Sequence, residues 1–305
     1  PRTPMSLVLA APLGPACLLD QFTPVASIPQ PKYAAGCAIL GGLVYVAGGW
    51  DEHHQVTMTC WVFNPSTATW SQAPSMTQAR RNFTLSALSS MLVAVGGEGS
   101  DGQSLSCCES LAVGPDGVPA SSWQVDLVPS LPHAVYYHAA CVHSGTLYVT
   151  GGFPVKPHMY RWCPGRAEWE RCQDMLQGRS CHGMAAGEHH LYVACRSTAE
   201  VYDLASGQWS ALPDMPQVHN AAACYTSGAL YVLGGEESSV SVYHTDTQQW
   251  STDTHRLPLN DKLLHPSVCV VTPDTPHTTT ATSTTVTTTT MAAKTTTTTS
   301  HAMTT

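Results

Sequence analysis

Short apolar runs, each ending in two small residues, recur along the chain: LVYVAGG at 43–49, MLVAVGG at 91–97, TLYVTGG at 146–152 and ALYVLGG at 229–235. HLYVAC at 190–195 is a worn copy with Ala194 and Cys195 in the place of the glycines. A tryptophan follows each copy: Trp70, Trp123, Trp169, Trp209 and Trp250. Between the two landmarks an aromatic residue precedes a turn, as in VFNPSTATW (62–70), VYDLASGQW (201–209) and VYHTDTQQW (242–250). Runs of this length, β-rich and separated by Pro, Gly, Asn and Ser, predict strands, and none has the 3.6-residue period of a surface helix. A fixed repeat of roughly 40–55 residues predicts a radial or stacked array and not one continuous core.

Glycine inside a strand is costly unless another backbone comes close. Crowding of sheet ends toward an axis supplies that reason, and the recurring Trp and Tyr supply broad faces to seal one sheet against the next. The repeated landmarks resemble the kelch repeat of the kelch-like (BTB-BACK-kelch) adaptor family, over most of residues 1–272. The resemblance implies an all-β fold: a six-bladed kelch β-propeller of four-stranded antiparallel blades. Five copies are plain. The sixth blade is expected from the two ends, with SVCVV in 265–272 closing the ring by pairing with 6–12, although no tryptophan or glycine pair marks that blade. After residue 272 the composition shifts. Residues 273–305 are more than half threonine, which predicts a disordered tail, since such a stretch has little apolar surface to bury.

Composition narrows the function. The chain has 305 residues, 11% of them charged, with a formal net charge of −8 and no basic run. Nucleic acid is therefore not an expected partner. No run approaches the roughly 20 apolar residues of a membrane span, and 7–19, broken by Pro12 and Pro15, makes a poor signal peptide. The first residue is Pro1, and the chain is expected to be a piece of a longer protein. Among 12 cysteines, Cys37, Cys141 and Cys224 hold one repeated position before a glycine pair, as small buried hydrophobes do. Their copies would lie in different blades, so the thiols are expected to be reduced and the protein cytoplasmic, with the nucleus also open to it.

No GxSxG, HExxH, P-loop or EF-hand spacing occurs, and His53–His54 and His189–His190 read as solvated turns. The expectation is no enzyme, no catalytic residues, no metal and no cofactor. A propeller then offers its loops. In the kelch-like adaptors, the stretch after the glycine pair and the stretch leading into the next inner strand carry the residues that hold partner peptides. By that resemblance the partner-binding set is Lys32, Tyr33, Trp50, Arg80, Arg81, Asn82, Tyr136, Tyr137, Phe153, Arg179, His219 and Asn220. Val135, Glu98, Arg196 and Glu236 depart from the pattern. The implied partner is a protein substrate, a peptide or degron on one propeller face, acidic or phosphorylated if the cations lead. The implied role is the substrate-recognition domain of a cullin-RING E3 ubiquitin ligase adaptor, with the cullin held through an upstream BTB region not present in this chain. Two other roles fit a kelch propeller: a scaffold binding actin or another structural partner, and a secreted or tethered enzyme or lectin with a glycosylated stalk.

Overall fold

The computed structural model describes residues 6–10, 22–234, 239–253, 267–268 and 287–290. Two N-terminal strands, β1 (Ser6–Ala10) and β2 (Phe22–Ser27), precede the repeats. Blade I consists of β3 (Gly36–Leu40), β4 (Leu43–Ala47), β5 (Cys60–Asn64) and β6 (Thr69–Ala73). Blade II has β7 (Thr84–Leu88), β8 (Met91–Val95) and β9 (Cys108–Ala112), and blade III has β10 (Ala139–His143), β11 (Thr146–Thr150), β12 (Met159–Trp162) and β13 (Glu170–Arg171). Blade IV is β14 (Gly183–Ala186), β15 (His190–Cys195), β16 (Thr198–Asp203) and β17 (Gln208–Ala211). Blade V is β18 (Ala222–Thr226), β19 (Ala229–Gly234), β20 (Ser239–His244) and β21 (Gln249–Asp253), followed by β22 (Ser267–Val268) and β23 (Thr287–Thr290). Within each blade the strands pair antiparallel in sequence order.

The architecture corrects the expected count: among the described residues there are five blades, not six. The terminal strands form a sheet of different make-up, in the order β2-β1-β23-β22. Ser6–Ala10 and Ser267–Val268 do not pair with each other, because Thr287–Thr290 runs between them. The physical reason lies in what the ends lack. No glycine pair lets a neighbour approach, and no tryptophan stitches the sheet to the segment before it. Beyond that strand, the tail, together with Gly235, Glu236, Cys17 and Cys269, lies outside the described residues.

Blade II is also short of the expected four strands. Its outermost position is taken by a loop that meets β9 at one residue, where Ser110 N–H donates to Gln124 O at 2.9 Å and Gln124 N–H returns a bond to Ser110 O at 2.7 Å. Trp123 nevertheless keeps its place. Its indole N–H donates to Pro74 O at 2.8 Å, as Trp169 does to Pro129 O (2.7 Å), Trp209 to Gln173 O (3.0 Å) and Trp250 to Pro213 O (2.9 Å). Each tryptophan therefore anchors the linker that enters its own blade. Second strands are largely apolar and buried, β8 along its whole length, because sheets pack against both of their faces.

The glycine pairs sit where backbones crowd. A Cβ at Gly152 (φ 101°) would overlap Val135 Cγ2 and stand 3.0 Å from His138 Cβ. Blade IV differs in register. Gly183 pairs with Ala194 as Ala139 pairs with Thr150, so the residues in the glycine slots are Cys195 and Arg196, not Ala194 and Cys195. Arg196 holds the positive φ of a glycine, 57°.

Candidate functional site

Antiparallel pairing brings the start of each inner strand and the end of each second strand to one face. There, five equivalent residues adopt the left-handed backbone: Ala34, Asn82, Tyr137, Cys181 and Asn220, with φ from 50 to 55°. Their backbones link blade to blade. Asn82 N–H donates to Ala34 O (2.9 Å), Tyr137 N–H to Asn82 O (3.0 Å), Cys181 N–H to Tyr137 O (2.9 Å) and Ala221 N–H to Cys181 O (3.1 Å). A second set crosses the same seams, from Gly49 to Arg80 O (2.8 Å), Gly97 to Val135 O (2.8 Å), Gly152 to Arg179 O (2.8 Å) and Arg196 to Val218 O (2.7 Å). The loops on this face are thus pinned by main chain, and they border an axial cavity of about 160 Å³ that Asn82, Tyr137, Cys181 and Asn220 help to line.

Three predicted partner-binding cations are not on the face at all. Arg80 is fully buried, with its guanidinium on Glu109 Oε1 (2.6 Å) and on Gly96 O (2.7 Å). Arg179 is also buried and donates to Glu200 Oε1 (2.7 Å), Thr198 O (3.0 Å) and Thr198 Oγ1 (2.9 Å). Each glutamate also holds the incoming linker: Glu109 accepts from Thr77 N–H (2.6 Å) and Gln78 N–H (3.3 Å), and Glu200 accepts from Leu176 N–H (2.7 Å) and Gln177 N–H (3.2 Å). Lys32 is sealed in the same slot of blade I, its ammonium donating to Thr57 Oγ1 and Thr59 Oγ1. Burial lowers its pKa to about 8, against the pull of nearby Asp51. Asp51 itself is pushed up by burial, yet the Gln55 and His53 N–H groups hold it below its ordinary value. These side chains bind the fold together and have no surface to offer a partner.

The remaining predicted residues do gather on the face, in two aromatic groups. Tyr33 and Trp50 exchange backbone hydrogen bonds (2.9 and 2.7 Å). Across the seam between blades I and II, the guanidinium of Arg81 lies 3.9 Å from the Trp50 ring centroid and pairs with Glu98. Glu98 was a departure from the expected pattern, and the structure draws it into the site. On blade III, Tyr136 packs against Tyr137 (5.0 Å between centroids) and Phe153 (5.2 Å). Burial raises the Tyr137 hydroxyl pKa. Phe153 is 48% exposed, and Val155 (52%) and Leu176 (56%), which sequence reasoning did not select, are exposed as well. His219 is exposed beside Gln217, at 2.9 Å, and Asn220 is half-buried.

Beneath the face, His138 and His182 are buried and bonded to Thr84 Oγ1 (3.1 Å) and Thr150 Oγ1 (2.9 Å) of the preceding blade. Burial, with Arg80 and Arg179 respectively adding to it, lowers the pKa of each to about 3. Among the described residues no group of three His, Cys, Asp or Glu side chains is placed to hold a metal ion, no disulfide joins two cysteines, and no helix is long and apolar enough to cross a membrane.

A sequence profile of the Kelch motif matches residues 31–77, which is blade I with its entering and leaving segments. The chain is 25% identical over 269 residues to Kelch-like protein 36 of Mus musculus, covering 77% of this chain and 43% of that protein. It is 25% identical over 270 residues to Kelch-like protein 26 of Danio rerio (79% and 43%) and 23% identical over 251 residues to alpha-scruin of Limulus polyphemus (72% and 26%). The chain therefore spans less than half the length of these relatives.

Proposed function

Since the chain is a kelch-repeat propeller of the kelch-like family, we propose that it binds a protein partner on the face formed by Tyr33, Trp50, Arg81, Asn82, Tyr136, Tyr137, Phe153, His219 and Asn220. It acts by grip and not by catalysis. Within a longer protein, it serves as the substrate-recognition part of a cullin-RING ubiquitin ligase adaptor, and works in the cytoplasm. One observation carries the reading. Half-exposed aromatics stand on loops whose backbones are fixed across every described seam, so the surface is preorganised and loses little entropy on binding. Aromatic and arginine side chains on rigid supports are the residue types that concentrate binding energy at interfaces.

The test is affinity capture by the full-length protein that carries this chain. The partner should be lost with Trp50→Ala combined with Tyr136→Ala, at unchanged melting temperature, and a cullin should be recovered alongside it. A partner retained by the double variant would remove this face from the function. Partner without cullin would leave a binding propeller and end the ligase role.

A further inference from the structure

The seam between blades IV and V is built differently at the ends of the strands away from the candidate face. In blades I to IV an aliphatic residue of the first strand pairs with the buried second residue of the next: Ile39 with Val44, Ala87 with Leu92, Val142 with Leu147 and Ala186 with Leu191. Blade V has Tyr225 in that place, opposite Leu230. Its ring is admitted by a glycine across the seam. A Cβ on Gly187 would stand 3.2 Å from the Tyr225 ring and 3.1 Å from that of Tyr192. The two phenols stack with centroids 5.3 Å apart and planes 6° from parallel. Tyr243 of β20 joins them in the same apolar cluster. At the seam between blades III and IV the matching residues are Tyr148, Tyr202 and the small Ala186.

Three rings fill this end of the seam less evenly than two rings and a methyl group, and a cleft of about 290 Å³ is left between the blades. That volume stands near the roughly 300 Å³ at which small-molecule pockets begin. Its depth is apolar: Tyr192 and Tyr243 are buried, while Val201, the cross-strand partner of Tyr192, and Leu212 are half-buried. Its rim comes from two hairpin turns, with exposed Glu188 and His189 on one side and exposed Gln248 on the other. His190, also on the lining, lies 3.4 Å from Asp203, Nε2 to Oδ2. Glu188 is the one carboxylate among the lining residues, and none of them is a lysine or arginine.

We infer that the cleft between blades IV and V binds a small amine that carries one aromatic ring. The ring lies among the tyrosines and aliphatic side chains of the depth, and the ammonium meets Glu188 at the rim. Size and charge together commit the occupant. The volume admits a single ring with a short tail. An apolar depth alone would accept any such ring, but a carboxylate at the mouth, with no fixed cation beside it, selects a positive tail over a negative one. Tyrosine is the residue type that favours both a second ring and a cation. The site stands apart from the protein-binding face, at the opposite end of the same strands.

The probes are three compounds of one shape, 2-phenylethylamine, 2-phenylethanol and 3-phenylpropanoate, titrated into the whole chain and followed by saturation-transfer NMR. At about pH 8, where an ordinary histidine is neutral, the amine should bind about tenfold more tightly than the alcohol, and the acid should bind least. Leu212→Trp, which fills the cleft, should abolish binding of amine and alcohol alike. Glu188→Gln changes an exposed turn and leaves folding intact. It should bring the amine down to the affinity of the alcohol and leave the alcohol unchanged. An amine bound no better than the alcohol would overturn the inference, as would an amine indifferent to both variants or a chain that binds none of the three. Partner capture depends on Trp50 and Tyr136 at the other end of the strands, so Glu188→Gln should leave it intact, and the two readings fail separately.

Discussion

At the scale of the residue, position in the sequence and position in space part company at Arg80 and Arg179. Both precede an inner strand, where a rim residue is expected, yet each turns inward onto a glutamate. The signal was present: Glu109 in CESLA and Glu200 in TAEVYD interrupt apolar strands, and a carboxylate buried there requires a cation. Blades III and V carry Val135 and Val218 in the same slot, both buried, so the slot takes either an ion pair or a hydrocarbon. Glu109→Ala is expected to destabilise the protein by about 3–5 kcal/mol, read from urea denaturation, because it strands a buried guanidinium. Arg80→Val together with Glu109→Val should recover part of that loss. A single substitution costing under about 1 kcal/mol would show the pair to be solvent-screened. The two buried histidines set an acid limit. Unfolded histidine takes up a proton near pH 6.5, whereas His138 and His182 stay neutral to about 3. The unfolded chain thus binds more protons in that window, and stability is lost as pH falls through it, by about 1.4 kcal/mol per unit for each ring. Between pH 6.5 and 5, His182→Gln should flatten the slope by about one proton; an unchanged slope would mean that the ring is protonated in the fold.

At the scale of the element, most of the blade was legible. Alternating landmarks gave the strands, and the tryptophans were rightly read as packing, although their indole bonds to the incoming linkers could not be foreseen from spacing. Two features escaped. Trp123 kept the repeat in phase and so hid the missing fourth strand of blade II. Equal weighting of any two small residues placed the glycine slots of blade IV one position early, since the strand register and not residue size defines them. Gly152→Val combines a clash with Val135 and a disfavoured φ and should cost several kcal/mol, while Gly41→Ala, with nothing within 4 Å of its Cβ, should cost about 1 kcal/mol through its backbone alone. Trp209→Ala, which loses both the Gln173 bond and the Tyr202 contact at 5.1 Å, belongs with the first, at about 3–5 kcal/mol. Thermal melts of the three variants give the order.

At the scale of the molecule, the count of blades was the least legible quantity. A repeat announces itself where its landmarks survive, and the ends of this chain keep neither glycine pair nor tryptophan. Joining them by symmetry supplied a partner for SVCVV that the threonine strand displaces. The described blades are coupled by two sets of main-chain bonds at each seam, so their unfolding should be a single transition: tryptophan fluorescence and far-ultraviolet dichroism should trace one curve in urea. Separate midpoints would mean that the seams yield blade by blade.

The shut-in position of Lys32 reaches beyond stability. Among the described residues lysine occurs only at 32 and 156, and the first is walled off by Thr57 and Thr59. Any reagent or enzyme that modifies amines therefore finds one lysine handle on the folded blades, Lys156, at the edge of the recognition face. Tethering the protein to a sensor chip through Lys156 would block the very surface under study, and a tag at a chain end is the coupling to choose.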